Sequence, residues 1–339
     1  MQAMHDRRKF LFGGTALLAA ASGAAAVAPR SGGARPRLFD CHTHFVSPDF
    51  EHYPLAIPPP IPGVPPNPAT ANLPERIRRN PTNVERVLEL WDRAGVEAGV
   101  GVQYRTSYGV DNTYLLEVAR AHADRIVPIV LLDPYDPTAE FALRSLVRDR
   151  GAAGVRFSAA ADAQSKRHLW LDGPVAQRIW AAANELGAVI VLMPVPANSF
   201  DAGFLEAVAR NARRFPRVDV VLDHFSWPPL RGAPDFGLTP EHLTLQPLGN
   251  VYFKLSSINL ERLREAGLPA QDFVRHAVDV YGAGRILWGS DLGNTQEPYD
   301  ELVTLALAAT ATLTAAEQRQ VLHDTGKRVH VRGGRGRHA

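Results

Sequence analysis

From Arg37 onward, short runs rich in β-branched and apolar residues alternate with stretches of helical period. Eight of the runs predict strands: Leu38 to Phe45, Val96 to Tyr104, Ile126 to Asp133, Ala153 to Ser158, Ala188 to Pro194, Val218 to Phe225, Val251 to Ser257 and Ile286 to Asp291. Between them, Val84, Val87, Leu88 and Trp91 recur at helical offsets, as do Val175, Ile179, Ala182 and Leu186. Such stretches form helices that lay one apolar face on the strands. Strand and helix in strict alternation mark βαβ units and a parallel sheet. Eight repeats predict an α/β fold of one domain, a closed (β/α)8 TIM barrel over residues 37–330. No Gly-x-Gly-x-x-Gly turn follows the first strand, which argues against an open dinucleotide-binding sheet.

One segment breaks the rhythm. Residues 47–81 carry prolines at 48, 54, 58, 59, 60, 62, 65, 66, 68, 74 and 81. Proline lacks the backbone donor, so an irregular, extended loop is expected there. Following the first strand, it belongs over the C-terminal face of the barrel, as a lid or pocket wall, with Phe50 and Tyr53 as candidate anchors.

Composition changes the picture at the ends of the chain. Arg7, Arg8 and Lys9 precede an apolar run and the small residues Ala26-Val27-Ala28, so residues 1–28 read as a twin-arginine-type signal peptide, followed by a linker over 29–36. Glycines at 13, 14 and 23 leave the apolar run too short for a membrane span, and after cleavage no stable membrane insertion is expected. The expected location is outside the cytoplasm, periplasmic or extracellular. The single cysteine, Cys41, excludes an intrachain disulfide. With residues 1–28 set aside, basic and acidic residues balance, so no field for nucleic acid remains. Residues 331–339 form a basic, glycine-rich tail read as flexible.

The candidate chemistry sits at strand ends. The first strand closes on Asp40-Cys41-His42-Thr43-His44, and alternation along a strand turns His42 and His44 the same way, at a spacing that can chelate one ion. Asp223-His224 ends the sixth strand and Ser290-Asp291 the eighth. Residues ending different strands of a barrel converge on one face. A carboxylate directly after Ile286-Leu287-Trp288 is costly to desolvate without a cation, a donor or a catalytic role, which singles out Asp291. Within the fourth strand, Arg156 faces the barrel if Val155 and Phe157 face outward; with Arg105 and Ser107 it is a candidate for holding a substrate carboxylate. Lys254 lines the barrel, with an internal ion pair as its bland role.

This ordered series resembles the amidohydrolase superfamily over residues 37–330, and within it the branch of 2-pyrone-4,6-dicarboxylate lactonase. The likeness rests on Asp40 to His44, Val102-Gln103 with Ser107-Tyr108-Gly109 and Asp111-Asn112, Gly154-Val155-Arg156-Phe157, Val221 to Phe225, Lys254-Leu255-Ser256 and Trp288 to Asp291. It implies a barrel enzyme acting on a small molecule. The superfamily's metal-rich members carry a lysine or glutamate after the fourth strand and a histidine after the fifth; here those places read Arg156-Phe157-Ser158 and Leu192-Met193-Pro194, so a two-metal site is not expected. His42, His44 and Asp291 suffice for one ion, zinc or manganese, with water completing the set. The pyrone lactonases work without metal, so the resemblance also implies a metal-free version.

In either version the expected reaction is attack of water on a lactone or ester carbonyl, with Asp291 as general base and His224 as a second catalytic residue, the histidines donating hydrogen bonds to the oxyanion where no metal is bound. The pyrone lactonases carry an arginine shortly after the seventh strand; Ser257-Ile258-Asn259 stands there instead, which favours an aromatic or sugar-derived lactone with one carboxylate or none. Two rivals share the architecture: a metal-dependent decarboxylase or hydratase of aromatic or enol acids, and an exported binding protein without catalysis. The sequence says nothing of the oligomeric state.

Overall fold

The computed structural model describes residues 36–56, 72–160, 169–195 and 202–334. The segments read as signal peptide and linker, apart from Pro36, lie outside the described residues. Eight parallel strands follow one another in sequence order: β1 (Leu38–Thr43), β2 (Val96–Val102), β3 (Ile126–Leu131), β4 (Gly154–Ala160), β5 (Val189–Val195), β6 (Val220–Leu222), β7 (Val251–Ser256) and β8 (Ile286–Gly289). This is the barrel expected from the alternation of strand and helix. Its last seam is closed without a regular ladder: Thr43 bridges to Leu292, the His44 N–H donates to the Leu292 carbonyl at 2.9 Å, and the Asp291 N–H donates to the His42 carbonyl at 2.8 Å.

Alternation along the strands sorts side chains into two layers. Val155, Phe157, Ile190, Leu192, Val220, Leu222, Phe253, Leu255, Ile286 and Trp288 point outward into one large core shared with the helices. The helix Val84–Ala94 buries Val84, Val87 and Trp91 in it, and the helix Pro174–Leu186 buries Ile179, Trp180 and Ala182. Phe39, Cys41, Val100, Val191, Val221 and Leu287 fill the lower interior together with Val329. Val329 comes from the last helix, Thr325–Gly334, which touches β1, β3, β4, β5 and β8 from below and closes the N-terminal end. That helix runs four residues into the segment read as tail. Glycine is needed in it: a Cβ at Gly326 would collide with the Cys41 sulfur.

The proline-rich segment is less irregular than its composition suggests. Residues 57–71 lie outside the described residues, but Leu73–Arg79 is a helix. Pro74 sits in its first turn, where the missing N–H costs nothing. Leu73 and Ile77, four apart, bury together against Val46, Tyr104 and Tyr108, with Phe50 and Tyr53 packed at the edge. Among the described residues no helix is long and apolar enough to cross a membrane.

Candidate active site

Strict alternation cannot place both Phe39 with Cys41 and His42 with His44 inside the barrel. The register between β1 and β2 breaks between Asp40 and Thr43, and the irregularity re-aims the upper part of β1 so that the histidines also face the interior. Asp40 pins this irregular segment to β8. Its carboxylate accepts from the His42 N–H at 3.0 Å, the Thr43 hydroxyl at 3.1 Å, the Ser290 N–H at 2.8 Å and the Tyr299 hydroxyl at 2.9 Å, which uses all four lone-pair positions. Burial pushes the Asp40 carboxyl up from its ordinary pKa, and the donors restrain it. Gly289 completes the seam, because a Cβ there would stand 2.6 Å from the His42 Cβ.

The structure brings His42, His44, His224 and Asp291 together at the C-terminal mouth, and all four are buried. Asp291 Oδ1 lies 3.4 Å from His42 Nε2 and 3.3 Å from His44 Nε2. Its other oxygen accepts from Asn294 Nδ2 at 2.9 Å. Burial alone would raise the Asp291 carboxyl; a hydrogen bond from His44 and the proximity of His224 outweigh it and hold the group below its ordinary value. Burial, reinforced by the nearby Lys254 ammonium, drives the His42 pKa far down, so that ring is neutral.

Hydrogen-bond logic assigns the neighbouring rings. His44 Nδ1 lies 2.8 Å from the Val102 carbonyl, which can only accept, so Nδ1 carries a proton and the ring turns Nε2 toward Asp291. Tyr104 stacks flat on the His44 ring at 4.0 Å and donates its hydroxyl to Asn294 Oδ1 at 2.7 Å, tying β2 to the loop that carries Asp291. His224 Nδ1 meets the Ser256 hydroxyl at 2.6 Å, and burial lowers its pKa to about 4.

The Asp291 carboxylate oxygen stands 3.3–3.4 Å from two imidazole nitrogens, close enough for all three to ligate one ion. His42 has no hydrogen-bond partner at either nitrogen although it is fully buried. Two nitrogens and one oxygen converging on an open mouth fit a single zinc- or manganese-type ion. A second donor group, His42 with Asp223 and His224, is also close enough in space. Asp223 already has its cations, however: Lys254 Nζ at 2.7 Å from Oδ1 and Arg156 Nε at 2.8 Å from Oδ2. Burial would raise the Asp223 carboxyl, but Lys254 and then Arg156 pull it well below the usual carboxylate range. One ion therefore fits this mouth better than two.

Of the residues expected to bind substrate, Arg156 does face the barrel, yet its Nε is committed to Asp223. Ser107, in the short helix Arg105–Tyr108, donates its hydroxyl to the Tyr104 carbonyl at 3.1 Å; Arg105, at the start of that helix, is half-buried. Lys254 forms the internal ion pair. Tyr104, Ser256, Asn259 and Asn294 were not expected at the site, and Asp223 was expected there only as the strand-end neighbour of His224. Only Asp223, next to His224 at a strand end, carried a readable signal.

Backbone strain is concentrated here. His224, Phe225, Ser226 and Trp227 have φ of 53°, 54°, 56° and 56°, and Asp291 has φ 57°. Consecutive left-handed residues other than glycine are unfavourable and persist only where surroundings over-determine them. Phe225 stacks on Phe253 and packs edge-on against Phe273, while Trp227 leans on His224 at 4.6 Å.

A family model described as Amidohydrolase matches residues 39–329. L-fucono-1,5-lactonase of Burkholderia ambifaria is 31% identical over 210 residues, covering 59% of this chain and 66% of that relative, so the match spans just under two thirds of the relative's length. Among solved structures, a candidate 2-pyrone-4,6-dicarboxylic acid hydrolase from Pseudomonas putida superposes with a TM-score of 0.61 at 22% identity, covering 87% of this chain and 97% of that one. The 2,6-dihydroxybenzoate decarboxylase from Rhizobium superposes with a TM-score of 0.58 at 16% identity, covering 87% and 98%. At these identities the two structures establish a shared fold.

Proposed function

The chain belongs to the amidohydrolase family, and from that premise we propose that it is a hydrolase that opens a lactone by attack of water on the ring carbonyl, with Asp291 as general base. The observation that carries the reading is the convergence of Asp291 Oδ1 with His42 Nε2 and His44 Nε2 at the barrel mouth. Asp291 is held ionised at neutral pH, with one oxygen anchored by Asn294 and the other turned toward the histidines, the arrangement of an oriented proton acceptor.

In the proposed reaction the water oxygen bonds to the carbonyl carbon as its proton passes to Asp291. The tetrahedral adduct then collapses with cleavage of the ring C–O bond, and the proton on Asp291 goes to the departing alcohol oxygen, leaving a hydroxy acid. What a divalent ion held by His42, His44 and Asp291 would supply is Lewis acidity toward the carbonyl and a nucleophilic water at neutral pH. Ser257-Ile258-Asn259, standing where the pyrone lactonases carry an arginine just after β7, and the bond from Arg156 Nε to Asp223 favour a substrate with one carboxylate or none. The Burkholderia relative, named for a sugar-derived 1,5-lactone, supports that class. The arginine pair and apolar run before Ala28 support export by the twin-arginine route, so the proposal places the reaction outside the cytoplasm.

The test is metal content of the purified protein combined with hydrolysis of sugar-derived and aromatic lactones before and after chelation. About one ion per chain, activity lost on chelation and restored on re-addition, and loss of turnover in Asp291→Asn are expected. An Asp291→Asn variant that keeps most of its activity overturns the assignment of the base.

A further inference from the structure

Behind His224 lies a chain of hydrogen bonds whose direction is fixed at its far end. Asn259 Nδ2 stands 2.9 Å from the His224 carbonyl, which only accepts, so the amide nitrogen is on that side and Oδ1 on the other. Oδ1 lies 3.1 Å from both the Ser256 N–H and the Ser256 hydroxyl. The hydroxyl has a single proton, which goes either to Oδ1 or to His224 Nδ1. With that proton on Oδ1, the Ser256 oxygen accepts from His224 Nδ1 at 2.6 Å and Nδ1 carries the proton of a neutral ring.

We propose that Ser256 and Asn259 are positioning residues that lock His224 in its Nδ1–H tautomer, so that Nε2 meets the reacting groups as a lone pair. The inference deepens the lactonase reading and rests on it for the claim that His224 serves the reaction. Ser256 and Asn259 are wholly buried, shut away from competing water. They also form the capping box of the helix Ser257–Glu265, which fixes their geometry to the end of β7. Asn259 acts twice, because its bond to the His224 carbonyl supports the left-handed turn from His224 to Trp227. Around the ring stand His42, Asp291, Asp223, Arg156 and Lys254, and Trp227 covers one side. Among the described residues no other side chain is hydrogen-bonded to Nδ1.

The test is long-range proton–nitrogen correlation on protein labelled with 15N-histidine and reconstituted with zinc, the His224 signals being assigned by their disappearance in His224→Gln. In the unmutated protein Nδ1 is expected to carry the proton; a proton on Nε2 overturns the proposal without any variant having to fold. Ser256→Ala should release the tautomer and lower kcat about tenfold with KM little changed, and Ser256→Thr, which keeps the hydroxyl, should restore both. A helix cap alone would lower stability in Ser256→Ala while leaving the tautomer as it was, and that result overturns the lock. A tautomer that shifts in Ser256→Ala, in a protein that turns over no lactone, upholds the lock and refutes the lactonase reading instead.

Discussion

Replacing Lys254 by methionine removes the ammonium 2.7 Å from Asp223 Oδ1, at a place where neither side chain reaches solvent. Methionine fills a similar volume, so the packing loss is small. Asp223 keeps Arg156 on its other oxygen, but Oδ1 is then left facing only His42 Nδ1 at 3.8 Å. Breaking a buried pair by removing one partner costs about 3–5 kcal/mol, because the surviving charge is desolvated without compensation. For roughly 300 ordered residues, ~2.1 cal/mol/K of unfolding entropy per residue turns that loss into a fall in Tm of about 5–8 °C. Calorimetry of the metal-free protein measures it. The folded Asp223 carboxyl lies below its unfolded value of 3.8, so the pair's contribution is fully present above that pH and is lost only as pH falls through the lower folded value. The penalty should therefore be the same at pH 7 and pH 5. Asp223→Asn should cost at least as much, since it leaves two cations side by side, and the double variant should cost less than the two single losses added. A Tm within about 1 °C of the unmutated protein for Lys254→Met would refute the reasoning.

Three further outcomes follow from the same structure. Asp40→Asn places an amide donor where the carboxylate accepts from four groups, so the hold on the His42 and Ser290 backbones loosens; metal affinity should drop about tenfold in a chelator competition, and unchanged affinity would sink the idea that Asp40 sets the ligand geometry. Gly326→Ala should destabilise by about 1–3 kcal/mol in urea unfolding through its clash with Cys41, and adding Cys41→Ala should recover most of the loss; equal stability of the single and double variants would contradict this. Burial lowers the His330 pKa to about 3 and the His242 pKa to about 4, so below pH 6.5 the unfolded chain takes up protons that the folded one refuses, and stability falls with pH. His330→Leu should flatten that slope between pH 6 and 5 by about 1.4 kcal/mol per unit, read from urea midpoints, and an unchanged slope would remove His330 from the account.

The repeating order of strand and helix was legible because burial on both faces of a parallel strand demands continuous apolar runs, and no other arrangement suits eight of them in alternation. Placement of His42, His44, His224 and Asp291 at one mouth followed from their positions at strand ends. The strand ends themselves were read too long. Asp223 to Ser226 leave the ladder after Leu222, and Asp291 lies beyond Gly289, in left-handed backbone that no pattern of apolar residues announces. The helix Leu73–Arg79 was hidden by its proline-rich surroundings, because its stabilising partners, Tyr104 and Tyr108, lie far along the chain.

The sequence by itself thus determined the barrel and the mouth at which His42, His44, His224 and Asp291 meet, both of which depend on local periodicity and on a topology that admits one closure. What only the tertiary structure decided is how each group is held: that Asp223 is neutralised by Lys254 and Arg156, that Asp40 joins β1 to β8, and that Ser256 and Asn259 stand hydrogen-bonded behind His224. These depend on angstrom-scale distances between residues up to 250 positions apart, and a hydrogen bond carries no period along the chain for a sequence to reveal.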